Sequence, residues 1–374
     1  MTTKTMKYQI IKPLDCDWDM FGKILREINY ETRQILNQSI QLCWEYSGFS
    51  SEYRKQYNVY PDNEEVLKYK GIDGYIYNYM KGKYDKLNTG NLSQTLKRAV
   101  DKWKSDQGDI LKGNKSIPNY KKNCPIDIKN KSFSIKKEGN DYTACLSLLS
   151  NTYKKELNRK SGQFPVLLKV GDGTQKAILD RIISGEYKQC SSQMLNEKNK
   201  WFLNITYQFE LKKQETKQNK VLGVDLGITN VATMQVLNLD TNKYDWLKYN
   251  QCILDGKELI KFRQRVEARK RSLQRQGKVS GEGRCGHGYK TRMKPLDKIG
   301  EKVSRFRDSY NHKASRYIVD FAVRNECGLI QMENLSGFTE SAKETFLRNW
   351  SYYDLQHKVK YKAEEKGIEV FFIN

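Results

Sequence analysis

The chain has 374 residues, 30% of them charged and 38% hydrophobic, which is long enough for two or three domains with cores of their own. Lysine and arginine number 67 against 44 acidic residues, and the net charge of +23 favours a polyanionic partner such as nucleic acid. No stretch approaches the roughly 18 apolar residues of a membrane span, so we expect no membrane partner. The N-terminus lacks an apolar signal core and the eight cysteines form no Cys-x-x-Cys pair, which predicts a reduced, cytoplasmic protein without a zinc knuckle.

The first part of the chain reads as a strand followed by helices. A strand over Lys4–Lys12 precedes Asp17, which we expect to cap a helix from Trp18 to about Tyr46, because apolar residues recur there at helical spacing. The polar, tyrosine-rich residues 50–85 predict short helices and loops. Another helix begins near Asn91.

From about residue 113 the pattern changes to short strands separated by turn signals. Strand-like segments are 132–135, 142–149, 164–170 and 201–207. We expect residues 1–16 and 113–211 to form a small OB-like β-barrel, with residues 17–112 inserted as a helical lobe. Residues 212–220 are polar and predict a linker.

Residues 221–374 predict a domain in which early strands are followed by alternating helices and strands, a mixed sheet with helices on its faces. The expected elements are strands at 221–225, 231–239 and 244–249, a basic helix at 257–274, a glycine-rich connector near 281–288, a long helix at about 296–325, a strand at 329–333, a helix at 352–366 and a strand at 369–373. The fold class is therefore multidomain, α+β or α/β.

Two carboxylates end two of these hydrophobic strands. Asp225 lies within Val221–Asn230, where a core strand would ordinarily carry another Val or Ile, and Gly227 leaves room for close approach of a backbone or a phosphate. Glu333 ends a similar strand 108 residues later. In a basic protein, this pair suggests a divalent-metal site for cutting phosphodiesters. Alternatively, backbone N–H groups or an arginine satisfy two ordinary strand-end carboxylates.

The positive charge of the last domain is concentrated in residues 257–316, which hold 19 basic and six acidic residues. The basic helix places Phe262, Val266 and Leu273 towards a core and most of its arginines outward. We expect contact with a nucleic-acid backbone, the alternative being a solvated helix face. The candidate residues are Arg263, Arg265, Arg269, Lys270, Arg271 and, on the following helix, Arg305.

A second candidate contact lies in the barrel region. Tyr120 is followed by Lys121 and Lys122, a pattern that suits base stacking combined with phosphate contact. Packing in the core is the alternative for any single tyrosine.

Several motifs resemble one known family. They are VLGVDLGITNVA from Val221, LIQMENLSG from Leu329, NWSYYDL from Asn349, YKAEEKGIEV from Tyr361, YQIIKPLD from Tyr8, GNLSQTLKRA from Gly90, SIPNYK from Ser116 and SGEY from Ser184. The C-terminal motifs resemble the RuvC-type nuclease domain of transposon-associated TnpB proteins, and the N-terminal ones resemble miniature type V-F CRISPR effectors. The resemblance spans nearly the whole chain, in matching order and spacing.

The resemblance implies a wedge barrel with an inserted recognition lobe, followed by an RNase H-like RuvC domain. It implies an RNA-guided DNA endonuclease of prokaryotic antiviral defence, with guide RNA and double-stranded target DNA as partners. A T-rich motif would flank the target, and cleavage would use one Mg²⁺ (or Mn²⁺) site. It also implies an asymmetric homodimer on one guide RNA. By motif match, Asp225 takes the role of the first catalytic aspartate and Glu333 that of the catalytic glutamate.

The family pattern continues with a four-cysteine zinc module and a third catalytic aspartate, whereas this sequence stops at Asn374. We therefore expect 221–374 to be an incomplete RuvC domain, with zinc confined to the absent module, and residues 1–374 to bind nucleic acid but cleave slowly or not at all. Two alternatives stay open: an RNA-guided DNA-binding protein without cleavage, and a transposon-encoded TnpB-like nuclease.

Overall fold

The computed structural model describes residues 1–210, 216–227, 229–240, 243–244, 251–279, 289–335 and 352–373. The chain divides into two compact units, Met1–Glu210 and Leu211–Asn374. The predicted glycine-rich connector and most of the predicted strand 244–249 lie outside the described residues. No helix in the described parts of the chain is both long and apolar enough to cross a membrane.

The first unit combines four helices near its start with a larger set of strands. Its elements are β1 (Thr2–Pro13), α1 (Trp18–Tyr57), α2 (Asn63–Leu67), α3 (Ile72–Lys81), α4 (Thr89–Leu111), β2 (Ile126–Ile128), β3 (Phe133–Glu138), β4 (Asp141–Ser147), α5 (Asn151–Glu156), β5 (Gln163–Lys169), α6 (Gly173–Ile183), β6 (Lys188–Gln189), β7 (Ser192–Glu197) and β8 (Lys200–Phe209).

Helix α1 begins where its sequence predicts and ends 11 residues later than predicted. The side chain of Asp17 accepts a hydrogen bond from the Met20 amide at 2.7 Å, as an N-cap should. Beyond Tyr46 the apolar periodicity stops, but the helix continues to Tyr57. Aromatic neighbours at i,i+4 spacing support this extension, since the rings of Tyr53 and Tyr57 lie 4.6 Å apart.

The strands of the first unit form one eight-stranded sheet in the order β2-β7-β8-β1-β5-β4-β3, with β6 on β8. The N-terminal strand β1 lies at its centre and pairs antiparallel with both β5 and β8. Within residues 1–210, no strand pair joins β2 to β3, so the barrel stays a prediction. Apolar residues of the sheet and of α1, α3, α4 and α6 belong to one continuous core.

The second unit is an α/β unit with a mixed sheet. Its elements are β9 (Lys217–Asp225), β10 (Asn230–Asn238), β11 (Lys243–Tyr244), β12 (Gln251–Asp255), α7 (Lys257–Val279), α8 (Tyr289–Arg324), β13 (Cys327–Glu333), α9 (Tyr352–Glu364) and β14 (Glu369–Ile373). The predicted linker 212–220 is wrong at its C-terminal end, because residues 217–220 already belong to β9. The start of this strand is held by a hydrogen bond, in which the Lys217 amide donates to the Glu326 carbonyl at 2.8 Å.

The sheet of the second unit has the order β11-β10-β9-β13-β14, with β12 also on β10. β10 runs antiparallel to β9, whereas β13 and β14 run parallel to it. The sequence did not predict β12, whose residues alternate without a long apolar run. Helices α7 and α8 meet through stacked rings, with the centroids of Phe262 and Phe306 3.7 Å apart. The mixed sheet with flanking helices agrees with the predicted α/β class.

Candidate metal site and nucleic-acid interface

The two predicted metal ligands end neighbouring strands. β9 ends at Asp225 and β13 ends at Glu333, and the parallel register pairs Val224 with Met332. One residue further, the same register sets Asp225 beside Glu333. Paired residues of adjacent strands lie about 4.8 Å apart across the sheet, which brings both carboxylates within reach of one ion.

Alternation along the strands places both carboxylates on the same side of the sheet. Val224 and Met332 are 4% and 1% exposed and point into the core, so Asp225 and Glu333 point the opposite way. Both carboxylates are exposed. This explains how two hydrophobic strands can end in charged residues without the cost of burying a charge.

Gly227 allows a close approach, but of the chain's own backbone. A Cβ added there would lie 2.9 Å from the carbonyl oxygen of Asn230, which is too close for an alanine. The chain therefore turns tightly from β9 into β10 just after Asp225. A backbone approach was one of the two predictions made for this glycine.

Tyr352 lies close enough to both Asp225 and Arg263 for their charges to act on its phenol. Burial raises the pKa of Tyr352, the positive charge of Arg263 lowers it, and the negative charge of Asp225 raises it. Tyr352 is 3% exposed at the start of α9.

Arg263 departs from the expectation that it faces outward as a nucleic-acid contact. It is buried, at 9% exposure, one turn after Leu259, which is 4% exposed, so it shares the core-facing side of α7. Burial lowers its pKa, and a nearby positive charge on Arg307 acts in the same direction. Arg263 lies beside Tyr352 and interacts with residues inside the unit rather than with solvent.

The other candidate cations of the second unit are exposed. They are Arg265, Arg269, Lys270 and Arg271 on α7 and Arg305 on α8. Arg271 lies 3.9 Å from the Glu267 carboxylate, an exposed pair that contributes little to stability and leaves the cation accessible.

In the first unit, the structure places Tyr120 differently from its two lysines. Lys121 and Lys122 are exposed. Tyr120 is partly buried; its amide donates to the Asn37 side chain at 2.8 Å, and its carbonyl accepts from that side chain at 3.1 Å. The guanidinium of Arg98 lies over its ring, 5.6 Å from the centroid. The ring is thus engaged within the protein, as the packing alternative predicts.

Lys122 also lines a cleft of about 540 Å³ that sequence reasoning missed. The other lining residues are Arg26, Asn29, Tyr30, Arg33, Asn123, Asn196, Asn199 and Trp201. The guanidinium of Arg33 lies 5.1 Å from the ring centroid of Tyr30, which is 59% exposed. The cleft joins three cations to aromatic and amide side chains. Its sequence signal was the spacing of Arg26, Tyr30 and Arg33 on one face of α1, opposite the apolar stripe.

The donor set fits a magnesium or manganese ion better than zinc. Among the described residues, no group of three or more His, Cys, Asp or Glu could hold a metal. Two carboxylates do suit Mg²⁺, which is commonly held by one or two carboxylates together with waters and substrate phosphates. The seven cysteines in the described ranges are free.

Comparison with known proteins identifies the class. The profile of the OrfB_IS605 family, described as a probable transposase, matches residues 204–339. A CRISPR-associated endodeoxyribonuclease Cas12f1 of Sulfoacidibacillus thermotolerans is 45% identical over 374 residues, covering 99% of this chain and 86% of the relative. A Cas12f1 of Syntrophomonas palmitatica is 33% identical over 331 residues, covering 86% of this chain and 65% of the relative.

The fold agrees with these relatives. A chain solved in a Cas12f1–sgRNA–target DNA complex has a TM-score of 0.71 at 18% identity, covering 99% of this chain and 89% of that chain. The OrfB_IS605 match contains both strand-end carboxylates and makes this segment similar to a transposase-type domain. The whole-chain identity then specifies it further: the chain belongs to the Cas12f1 family of CRISPR-associated endodeoxyribonucleases.

The predicted resemblance to miniature type V-F CRISPR effectors is therefore confirmed. The transposon-encoded alternative has no support, since the OrfB_IS605 match covers only part of the chain whereas a Cas12f1 relative matches 99% of it. None of these findings favours the binding-only alternative.

Proposed function

We propose that this chain is an RNA-guided DNA endonuclease whose single cleavage site includes Asp225 and Glu333. The observation that carries this proposal is the parallel register of β9 and β13, which sets the two carboxylates side by side on one face of the sheet. Family membership supports the reaction type, because the relatives are named endodeoxyribonucleases.

Asp225 and Glu333 would hold Mg²⁺ or Mn²⁺ through their carboxylate oxygens. When bound, such an ion polarises a phosphodiester and lowers the pKa of a coordinated water. The two side chains supply negative charge and oxygen ligands, and the phosphate and waters complete the shell. Because both carboxylates are exposed, a nucleic-acid strand can reach them without opening the unit.

The strand order supports an RNase H-like RuvC identity for the second unit. Numbered in chain order within the unit, and taking β12 as the third strand on β10, the sheet reads 3-2-1-4-5, with the first three strands antiparallel and the last two parallel to the first. In the first unit, we assign the sheet to a wedge domain and α1–α4 to the recognition lobe, in line with the resemblance in sequence.

Two surfaces would contact nucleic acid. On the second unit it is the exposed face of α7 with Arg265, Arg269, Lys270 and Arg271, joined by Arg305 of α8. On the first unit it is the cleft beside Lys121 and Lys122, where cations can pair with phosphates while Tyr30 stacks on an unpaired base. Binding through these cations releases counterions and should weaken steeply with salt.

The partners we propose are a guide RNA, double-stranded target DNA with a T-rich flanking motif, and a second copy of this chain. The solved relative with the matching fold is named as a complex with sgRNA and target DNA. Large apolar side chains left exposed on and after α1 support self-association, among them Trp44 (41%), Phe49 (43%) and Tyr60 (65%). We place the protein in the prokaryotic cytoplasm, where CRISPR RNA and invading DNA meet.

The test is cleavage of a target plasmid library by the 374-residue chain with RNA from its native locus, in Mg²⁺ and in EDTA. Asp225→Asn and Glu333→Gln should each abolish Mg²⁺-dependent cleavage while guided DNA binding persists. Glu369→Gln is the matched control, since Glu369 is an exposed carboxylate at the opposite end of the same sheet. Cleavage that survives loss of either ligand would refute the site, and mass photometry of the guide complex would show whether two copies bind.

A further inference from the structure

We propose that Gln356 of α9 is a positioning residue for Glu333, and that the first turns of α9 hold both carboxylates at the spacing a divalent cation requires. This inference rests on the proposed function. It adds a residue that neither touches the substrate nor belongs to the motifs that identify the family.

The hydrogen bonds around Glu333 show how its backbone is held. The Asn334 amide donates to the Ile373 carbonyl at 2.6 Å, which continues the pairing between β13 and β14. The Glu333 carbonyl accepts a hydrogen bond from Nε2 of Gln356 at 2.5 Å. Both β9 and β13 end here, so no further strand residue donates to the Glu333 carbonyl. The side-chain amide of Gln356 donates to it instead.

Gln356 is suited to this role by its burial. It is only 6% exposed on the face of α9 that carries Leu355 and Val359, both fully buried. The hydrogen bond between a buried side-chain amide and a carbonyl is hard to break, because leaving either group unpaired costs more free energy than the bond itself contributes. Glu333 is thereby tied to a helix rather than to a free strand end.

α9 is itself fixed against α8. Nζ of Lys358 lies 2.5 Å from the Asp354 carboxylate and 3.0 Å from that of Asp308 on α8. The Asn311 side chain of α8 also donates to Asp354 at 2.7 Å. These contacts restrict how far α9, and with it Gln356, can shift along the sheet.

The same helix reaches the other carboxylate. Tyr352 lies one turn before Gln356, is buried, and belongs to the same apolar cluster as Val224 and Leu226, the residues on either side of Asp225. One face of α9 therefore contacts the end of β13 and neighbours the end of β9. This arrangement makes α9 a common support for the two metal ligands.

Such support matters because Mg²⁺ demands near-ideal octahedral geometry with ligands at about 2.0–2.1 Å. Groups that orient metal ligands typically change metal affinity or activity by about 10–100-fold when removed. Gln356→Met keeps the length of the side chain but removes the donor. We expect guided cleavage to slow by about 10–100-fold, the half-saturating Mg²⁺ concentration to rise, and guide and target binding to stay unchanged.

Val359→Ala is the matched control, since it destabilises the same face of α9 without a hydrogen bond to Glu333. It should lower the melting temperature without shifting the Mg²⁺ requirement. A readout independent of cleavage is Mn²⁺ binding to the protein alone, followed by electron paramagnetic resonance, which should weaken in Gln356→Met and not in Val359→Ala.

Gln356→Glu supplies a second test if the methionine variant folds poorly. The introduced side chain can donate to the Glu333 carbonyl when its carboxyl group is protonated, whereas the ionised form repels that carbonyl. Cleavage relative to the wild type should therefore recover as the pH falls. Normal Mg²⁺ dependence in both Gln356 variants, or an equal shift in Val359→Ala, would overturn the inference. Cleavage that survives Asp225→Asn would instead refute the metal site, so the two failures are distinguishable.

Discussion

Arg98→Met should destabilise the first unit and loosen one of its proposed nucleic-acid contacts. The Arg98 guanidinium lies 3.1 Å from Oδ2 of Asp127, whose side chain is 3% exposed. It also donates to the Pro125 carbonyl at 3.1 Å and covers the ring of Tyr120. Arg98 thus ties a buried carboxylate of the sheet to the segment that carries the two candidate lysines.

The magnitude follows from what remains after the substitution. Removing one partner of a buried ion pair typically costs about 3–5 kcal/mol, because a charge is left without compensation. Asp127 retains a hydrogen bond from the Gln193 side chain at 2.9 Å and can take up a proton, which lowers the cost to about 2–4 kcal/mol. For a unit of this size, that is about 4–16 °C in melting temperature, and the unit should still fold.

The stability loss caused by Arg98→Met should also depend on pH. Burial raises the pKa of Asp127, and the positive charge of Arg98 opposes that rise. Without Arg98 the pKa should rise further, so the folded variant binds a proton that the unfolded chain has already lost. The stability of the variant therefore falls as the pH rises from the ordinary carboxyl range through the raised pKa, and the loss relative to wild type is smaller at pH 5 than at pH 8.

Thermal melts of the wild type, Arg98→Met, Asp127→Asn and the double variant would measure the coupling between the two residues. The double variant should recover part of the loss, since no buried charge is left unpaired. Guide-RNA affinity of Arg98→Met should also fall, because its segment is no longer held. Equal stability losses at pH 5 and pH 8, or purely additive effects of the two substitutions, would refute the reasoning.

Three further outcomes are expected. Burial lowers the pKa of Lys362 from 10.5 to about 8, so the unfolded chain holds more protons between those values and stability should rise with pH across that window; Lys362→Met should remove this slope in melts at pH 7.5–10. Arg269→Gln combined with Lys270→Gln should weaken RNA binding and reduce its salt slope, measured by filter binding at several salt concentrations; an unchanged slope would remove α7 from the interface. Tyr30→Ala should weaken nucleic-acid binding about 5–150-fold, whereas Tyr57→Ala, which removes a similarly exposed ring of α1 outside the cleft, should not.

The sequence predicted a metal site at Asp225 and Glu333 but not the strand pairing that sets them side by side. Asp225 and Glu333 were identified because each interrupts a hydrophobic strand with a carboxylate. Their adjacency depends on strand order and register, which arise from pairing between segments 108 residues apart. Local patterns carry no information on such pairing, so the sequence could suggest that the two carboxylates share a metal site but not the strand register that would bring them together.

The structure also differs from the sequence-based predictions in the length of α1, in the orientation of Arg263 and in the cleft of the first unit. The extension of α1 past Tyr46 is polar and aromatic, so its pattern resembled a loop. Arg263 was expected to face outward with the other arginines, but its position one turn after Leu259 puts it on the buried side. The cleft on the first unit assembles from α1, the segment at Lys122–Asn123 and the β7–β8 hairpin, and no single one of them shows a binding motif.

The pairing of β9 with β13 also has a consequence for synthesis of the protein. A nascent chain that has emerged only as far as β9 and β10 carries one of the two carboxylates. At about 5–20 residues per second, the 108 residues up to Glu333 take about 5–20 s to make, and β9 then still has to pair with a distant strand. The proposed metal site thus forms late, after the first unit and its proposed nucleic-acid cleft have had time to fold. On the proposed function, a ribosome-bound chain would be able to bind its guide RNA before its metal site exists.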